Sequence, residues 1–225
     1  SSDLCKINLS RKRKRKLMAT QPTKDKIISS SWELLEELTL TEFSMRKLAS
    51  RLGMTVSSLY YHFSSKEALF AELIDKASLE IIFPANEKTW QDRLFVYGKN
   101  IYTVLESYPN LAQLMMDYPP ESENYLRLFD KLLMIVDDLK LSDDHKFYTI
   151  NLFLNFIYTS KIDSDRLVEQ HEKPLSTVKI PLVQLAPFLD KYWRTESLTS
   201  LGSSESFEFG LQLIISGIEK MLKIN

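Results

Sequence analysis

Within residues 44–66, SMRKLASRLGMTVSSLYYHFSSK, four hydrogen-bonding side chains fall close together: Ser57, Ser58, Tyr61 and His62. Hydroxyls and an imidazole, presented side by side with few long apolar neighbours, suit the edges of bases and the oxygens of phosphates. Spacing decides whether one surface can present them. Leu59 and Phe63 are four apart, so a helix here turns those two inward and leaves the polar set outside. Thr55 can cap that helix at its N-terminus. Upstream, Ser44 can cap a helix whose Leu48 and Leu52 form an apolar stripe, and Gly53 follows where a helix end favours positive φ. Two short helices joined by a glycine turn, the second polar outside, form the plan of a DNA-reading helix-turn-helix. An αα-corner inside a helical protein has the same local pattern.

These side chains need elements to hold them. A helix from Thr23 to about Leu38 carries Ile27, Ile28, Ser31, Trp32, Leu35 and Leu38 on one face and would pack over the pair as a three-helix unit. Ser64-Ser65-Lys66-Glu67 matches a capping box that opens a further helix, apolar at Leu69, Phe70, Leu73, Ile74 and Ala77 until Pro84. That helix, expected over 66–83, joins the small unit to everything after it without a flexible linker. It can therefore act as a strut. Helices are expected next over 90–107, 111–116 and 121–139, followed by a long apolar helix capped by Ser142 and running through Tyr158. A polar loop over 161–180, a short helix over 181–193, a serine-rich connection and a last helix over 207–223 complete the chain.

The fold expected is all-α: a basic arm over 1–20 that is expected to be disordered when free, a helix-turn-helix domain over 21–66 and a larger helical domain over 67–225. The last helix sets Gly210, Ser216 and Gly217 among bulky apolar residues. An interior glycine costs about 1 kcal/mol relative to alanine, so a packing reason is required. Small residues admit a close neighbour. The helices near 142–160 and 206–223 could pair with the same two of a second copy, forming a four-helix bundle, or be buried within one chain.

Charge is unevenly distributed. Residues 1–66 carry 13 Lys/Arg against 6 Asp/Glu, whereas the remaining residues carry 16 against 24. A basic end on an acidic remainder suits a polyanion bound at one end only. The run Arg11–Lys16 could neutralise phosphates or enter a minor groove, or be a solvated tail. Cys5 is the only cysteine, which excludes a disulfide framework within one chain. His62, His145 and His171 fall in separate elements, and the sequence holds no phosphate-cradling glycine loop, no H-E-x-x-H and no nucleophile elbow. No enzymatic activity, metal or cofactor is expected. No apolar run reaches membrane-spanning length and no signal sequence opens the chain, so a cytoplasmic location is expected.

The segment from Thr23 to about Ile82 resembles the DNA-binding domain of the TetR family of bacterial repressors, above all in MRKLASRLGM and SSLYYHFSSKEAL. Trp90-Gln91-Asp92 followed by Leu94, and Phe207-Glu208-Phe209-Gly210-Leu211 with Gly217-Ile218-Glu219-Lys220, are similar to the ligand-binding and dimerisation domain of tetracycline repressors. The resemblance implies a homodimer with a ligand pocket in each helical core and a double-stranded DNA operator as partner. It implies that Thr55, Val56, Ser57, Ser58 and Tyr61 approach base edges, that Ser44, Tyr60, His62 and Lys66 approach phosphates, and that Arg46 faces a guanine.

Departures from that family shape the expectation. Val56-Ser57-Ser58 stand where tetracycline repressors carry Gln-Pro-Thr, so the operator should differ. Met115 stands in place of a metal-ligating histidine, Tyr97 in place of a drug-binding asparagine, and Pro119 in place of an arginine. Methionine is a poor ligand for Mg²⁺, so magnesium–tetracycline is not the expected effector. Tyr97, Tyr102, Met115, Met116, Tyr118, Phe129 and Met134 would suit an apolar or aromatic small molecule. The expected function is a ligand-responsive repressor released from a palindromic operator. An activator, a constitutive regulator, or a protein-interaction module that kept the fold are the alternatives.

Overall fold

A computed structural model describes residues 23–171, 182–193, 200 and 202–224, whose regular structure is helical with no strand among them. The basic arm and residues 172–180 of the expected loop lie outside the described residues. The chain divides into two compact units, Ser1–Leu69 and Phe70–Asn225.

The first unit holds α1 (Lys24–Glu37), α2 (Met45–Arg51) and α3 (Val56–His62). Each begins on a hydroxyl cap: Thr23, Ser44 and Thr55 accept from the backbone N–H of Lys26, Lys47 and Ser58 at 3.3, 3.2 and 3.1 Å. Ile27, Leu35, Leu48 and Leu59 form the buried centre, closed by Phe43 and Phe63. Ser31 sits in that centre because its hydroxyl donates to the Ile27 carbonyl at 2.7 Å. Gly53 takes φ +64°, which turns the chain between α2 and α3 at no steric cost. Leu52, expected inside, is instead half-buried, since α2 ends at Arg51 and leaves it at the C-cap.

The next helix, α4 (Lys66–Leu79), runs unbroken across the boundary between the units. Its cap is Ser65 rather than the expected Ser64: the Ser65 hydroxyl accepts from Ala68 N–H at 3.0 Å. It also stops earlier than expected. Residues 81–84 are non-helical, consistent with Pro84 disfavouring helix at the residue before it.

In the second unit follow α5 (Trp90–Ser107), α6 (Leu111–Asp117), α7 (Glu123–Val136), α8 (Asp143–His171), α9 (Leu182–Leu185), α10 (Pro187–Trp193) and α11 (Ser204–Ile224). The long α8 is the spine, packing against α5, α6, α7 and α11. Its Ile150, Phe153 and Ile157 are fully buried, as are Leu94, Ile101, Leu114, Leu132 and Leu211 from the helices around it.

Two expectations are corrected here. Residues 161–171 are not loop but the C-terminal part of α8. The polarity of 161–167 marks a partly solvated helix surface, tied by an i,i+4 pair of Lys161 with Asp165 and an i,i+3 pair of Arg166 with Asp163 at 3.6 Å. The last helix begins at Ser204, because the hydroxyl of Ser203 accepts from Ser206 N–H at 3.2 Å. The serine-rich stretch thus supplies the cap.

The two glycines of α11 have different reasons. A Cβ on Gly210 would stand 2.1 Å from Cζ of Phe156 on α8, so its small size serves packing within one chain. A Cβ on Gly217 would meet nothing within 4 Å.

Candidate nucleic-acid interface and helical core

The capped start of α3 fixes which side chains leave the first unit. Thr55, Ser57, Tyr60 and Tyr61 are exposed, and Val56, Ser58 and His62 are half-buried. Tyr61 is 86% exposed, which for a tyrosine on a helix with apolar residues inside leaves a large ring unpacked. Its ring lies edge-on to that of His62, at 5.8 Å between centroids. The Nε2 atom of His62 is buried without a hydrogen-bond partner among the described residues. Thr55 and Ser58 hydroxyls lie 2.8 Å apart and so share one bond.

Cations of this unit divide into committed and uncommitted. Arg51 is held by Glu37 at 2.8 Å and Glu33 at 3.4 Å, which lowers the Glu37 carboxyl below its ordinary range. Lys66 donates to the carbonyl oxygens of Leu40 and Phe43, both at 3.0 Å, and fastens that turn to the start of α4. At least two of its three donors are therefore engaged inside the unit. Arg46 and Lys47, at the start of α2, are exposed and make no ion pair among the described residues. Ser44, besides capping α2, is half-buried beside them.

In the second unit the expected effector residues part ways. Tyr97 is 1% exposed, and burial pushes its hydroxyl well above the ordinary tyrosine range. It lies near Tyr158, whose hydroxyl is raised by burial first and then by Tyr125 and Tyr97. Tyr125 donates to the carbonyl of Met115 at 2.8 Å and its hydroxyl is 3.4 Å from that of Tyr158. Burial pushes Tyr125 up to about 12. Phe129 packs against Tyr125 at 5.6 Å, so Tyr97, Met115 and Phe129 share one neighbourhood. Tyr118 stands at its margin, edge-on to Phe70 of α4 at 5.5 Å. Met116 and Met134 are exposed and do not join the group. Tyr102 is buried elsewhere, stacked on Phe207 at 4.2 Å.

Tyr125 and Tyr158 were not among the expected site residues. Tyr158 falls on the apolar stripe of α8, where it reads as core. Tyr125 has polar Asn124 beside it in sequence and gives no local signal.

Within the second unit, α4 from Phe70 onward and the turn after it are fastened at three points. Besides the packing of Phe70 on Tyr118, the Asp75 carboxylate accepts from Asn124 N at 2.7 Å and Asn124 Nδ2 at 2.8 Å. Beyond the helix, Tyr108 donates to the Glu80 carboxylate, and burial followed by that carboxylate pushes Tyr108 up to about 12. No cluster of three metal-binding side chains occurs among the described residues, and no described helix is long and apolar enough to cross a membrane.

Residues 27–73 match the family described as bacterial regulatory proteins, tetR family, and residues 83–222 match the Tetracyclin repressor-like C-terminal domain. The chain belongs to the TetR family. Among TetR-family relatives, the class D tetracycline repressor of Escherichia coli is 24% identical over 210 residues, spanning 88% of this chain and 90% of its own. An HTH-type transcriptional regulator of Saccharopolyspora erythraea is 33% identical over 117 residues, and the match spans about half of each protein (51% and 50%). The apo structure of ActR from Streptomyces coelicolor superposes with TM-score 0.70 at 23% identity, covering 91% of this chain and 99% of that one. BioQ with its natural double-stranded DNA operator superposes with TM-score 0.64 at 17% identity, covering 87% and 96%. As a TetR-family member this chain is a DNA-binding transcriptional regulator and not an enzyme.

Proposed function

We propose that this protein is a cytoplasmic repressor that holds a palindromic operator as a homodimer and leaves it when a small molecule enters the helical core. The observation that carries the reading is the outer face of α3, where Tyr60 and Tyr61 are exposed beside Ser57 while uncommitted Arg46 stands on the preceding helix. In this reading Thr55, Val56, Ser57, Ser58 and Tyr61 meet base edges. Ser44, Tyr60, His62 and Lys66 meet phosphates. Two such helices would enter successive major grooves about 34–36 Å apart.

Dimerisation is supported by α8 and α11, which expose Tyr148, Leu152, Phe209 and Leu213 in the single chain. A stable monomer rarely leaves such residues together in water. Gly217, open on its Cβ side, admits a close neighbouring helix. The pair of glycines gives a test by urea melts and sedimentation velocity. Gly210→Ala is expected to cost about 1–3 kcal/mol through overpacking against Phe156. Gly217→Trp is expected to leave the subunit folded and shift it to monomer. A folded, fully dimeric Gly217→Trp protein would remove this interface.

For the effector, the Tyr97–Met115–Phe129 group supports an apolar or aromatic molecule rather than magnesium–tetracycline. Solved ActR complexes with actinorhodin and with (S)-DNPA show ligands in a protein of this fold. Effector and operator must then oppose each other through one coupling free energy, typically about 1–3 kcal/mol.

The decisive experiment selects binding sites from random duplex DNA and follows their affinity against salt. Inverted repeats should emerge, and log affinity should fall with log salt at about 0.9 per phosphate contacted. Weak binding that ignores both sequence and salt would sink the proposal.

A further inference from the structure

A partly open cavity of about 310 Å³ lies in the second unit between α5, the C-terminal part of α8 and the start of α11. Of the expected effector residues only Tyr102 lines it. Its apolar wall is Leu167 and three rings, with Phe207 stacked on Tyr102 at 4.2 Å and 28° and parallel to Phe156 at 5.8 Å. Its rim is polar, made by Ser160, Ser206, Asp163 and Arg166.

The cavity is held open by backbone rather than by chance rotamers. Gly202, at φ +83°, brings its turn so close to α8 that a Cβ would stand 2.9 Å from Cα of Ser164. The Ser164 hydroxyl donates to the Gly202 carbonyl at 3.0 Å and pins the turn there. On the opposite side Gly210 leaves the space that the Phe156 ring needs against α11.

Charge around this space is asymmetric. On the rim, Arg166 is paired with Asp163 at 3.6 Å, and Lys161 is paired with Asp165. Glu106, one turn along α5 from Tyr102, has no basic partner among the described residues. The Tyr102 hydroxyl registers the imbalance: burial raises it most, and the carboxylates of Glu106 and Asp165 raise it further, against the neighbouring Ser164 side chain, which lowers it. Ring faces are themselves negative and attract cations.

We propose that this cavity is a binding site for a compact organic cation with an aromatic body, stacked on Tyr102, Phe156 and Phe207 and with its positive group toward Asp163 and Glu106. The volume is at the small end of ligand pockets, which suits one or two rings and excludes a tetracycline-sized molecule. The proposal goes beyond the repressor reading and does not depend on it, because binding is measured without DNA.

The test titrates the full chain calorimetrically with three probes of similar size: benzyltrimethylammonium, its neutral carbon isostere neopentylbenzene, and phenylacetate. The cation should saturate with a dissociation constant of about 1 mM or below, and bind about tenfold or more tighter than the other two, a difference of the size that cation–π and surface charge pairs supply. Asp163→Asn and Glu106→Gln, both on exposed residues, should each erase part of that preference and together most of it. Ser160→Phe, which fills the space, should abolish binding with an unchanged circular dichroism spectrum. Tightest binding by phenylacetate would make Arg166 the anchor and overturn the proposal. No saturation by the cation, or an affinity indifferent to both carboxylate substitutions, overturns it equally, whether or not the Ser160→Phe chain folds.

Discussion

Arg46→Ala is expected to weaken operator binding by about 2–6 kcal/mol, roughly 30-fold or more, because the dimer loses two bidentate arginine–guanine pairs at about 1–3 kcal/mol each. It should also flatten the preference at a single base pair in each half-site. The thermal melt should not move, because Arg46 is exposed and makes no ion pair among the described residues. Its neighbour in type, Arg51, provides the contrast. That guanidinium already serves Glu37 and Glu33, so Arg51→Ala should disturb the packing of α2 on α1 and touch sequence preference little. Lys47, equally exposed, provides the second contrast: an ammonium suits a phosphate and not a base edge, so Lys47→Ala should weaken all sequences alike and lower the salt slope by about 1 per half-site. Fluorescence anisotropy with the selected operator and its single-base variants separates the three. If Arg46→Ala weakens every sequence equally, Arg46 binds a phosphate and reading must rest on α3 alone.

What was legible from sequence was local. Ser44, Thr55 and Gly53 each act within three residues of their own position, so their types announced the helix-turn-helix directly. Apolar spacing likewise located the buried faces of α1 and α4. Errors arose where polarity served a helix instead of a loop, as in 161–171, or where two serines competed for one cap, as at Ser64 and Ser65. The core tyrosines and the uses of Gly202 and Gly210 could not be read, because their partners lie tens of residues away. Tyr125 meets Tyr158 across 33 positions, and Gly210 answers to a ring on another helix. For the DNA side, the outward set of α3 is placed by its own helix. For the effector side, the seven expected residues had no local rule to gather them, and they divide between a buried group, a separate cavity and the surface.

Asp75→Ala is expected to lower stability by about 1–3 kcal/mol, the value of charge-assisted bonds removed from a part-buried helix start. The reason is an unusual division of labour at α7. Ser122 occupies its N-cap position but makes no cap bond, and its hydroxyl is buried without a partner among the described residues. The cap is supplied instead by Asp75 from α4, 49 residues earlier, through both the backbone and side-chain nitrogens of Asn124. A carboxylate at a helix N-terminus is favoured by the exposed N–H groups and the dipole there. Asp75→Asn keeps the size but removes the charge, so its effect should be smaller. The functional consequence follows from α4 being one helix from Lys66 to Leu79. In the repressor reading, a movement at the start of α7 reaches the reader unit through this latch. Removing it should weaken operator binding several-fold, although Asp75 belongs to the second unit and lies outside the DNA-binding set. Urea melts and operator titrations on the same preparations provide both readouts. A lowered melt with unchanged operator affinity would confine Asp75 to holding α7 and would leave Phe70–Tyr118 and Glu80–Tyr108 as the ties through which α4 is moved.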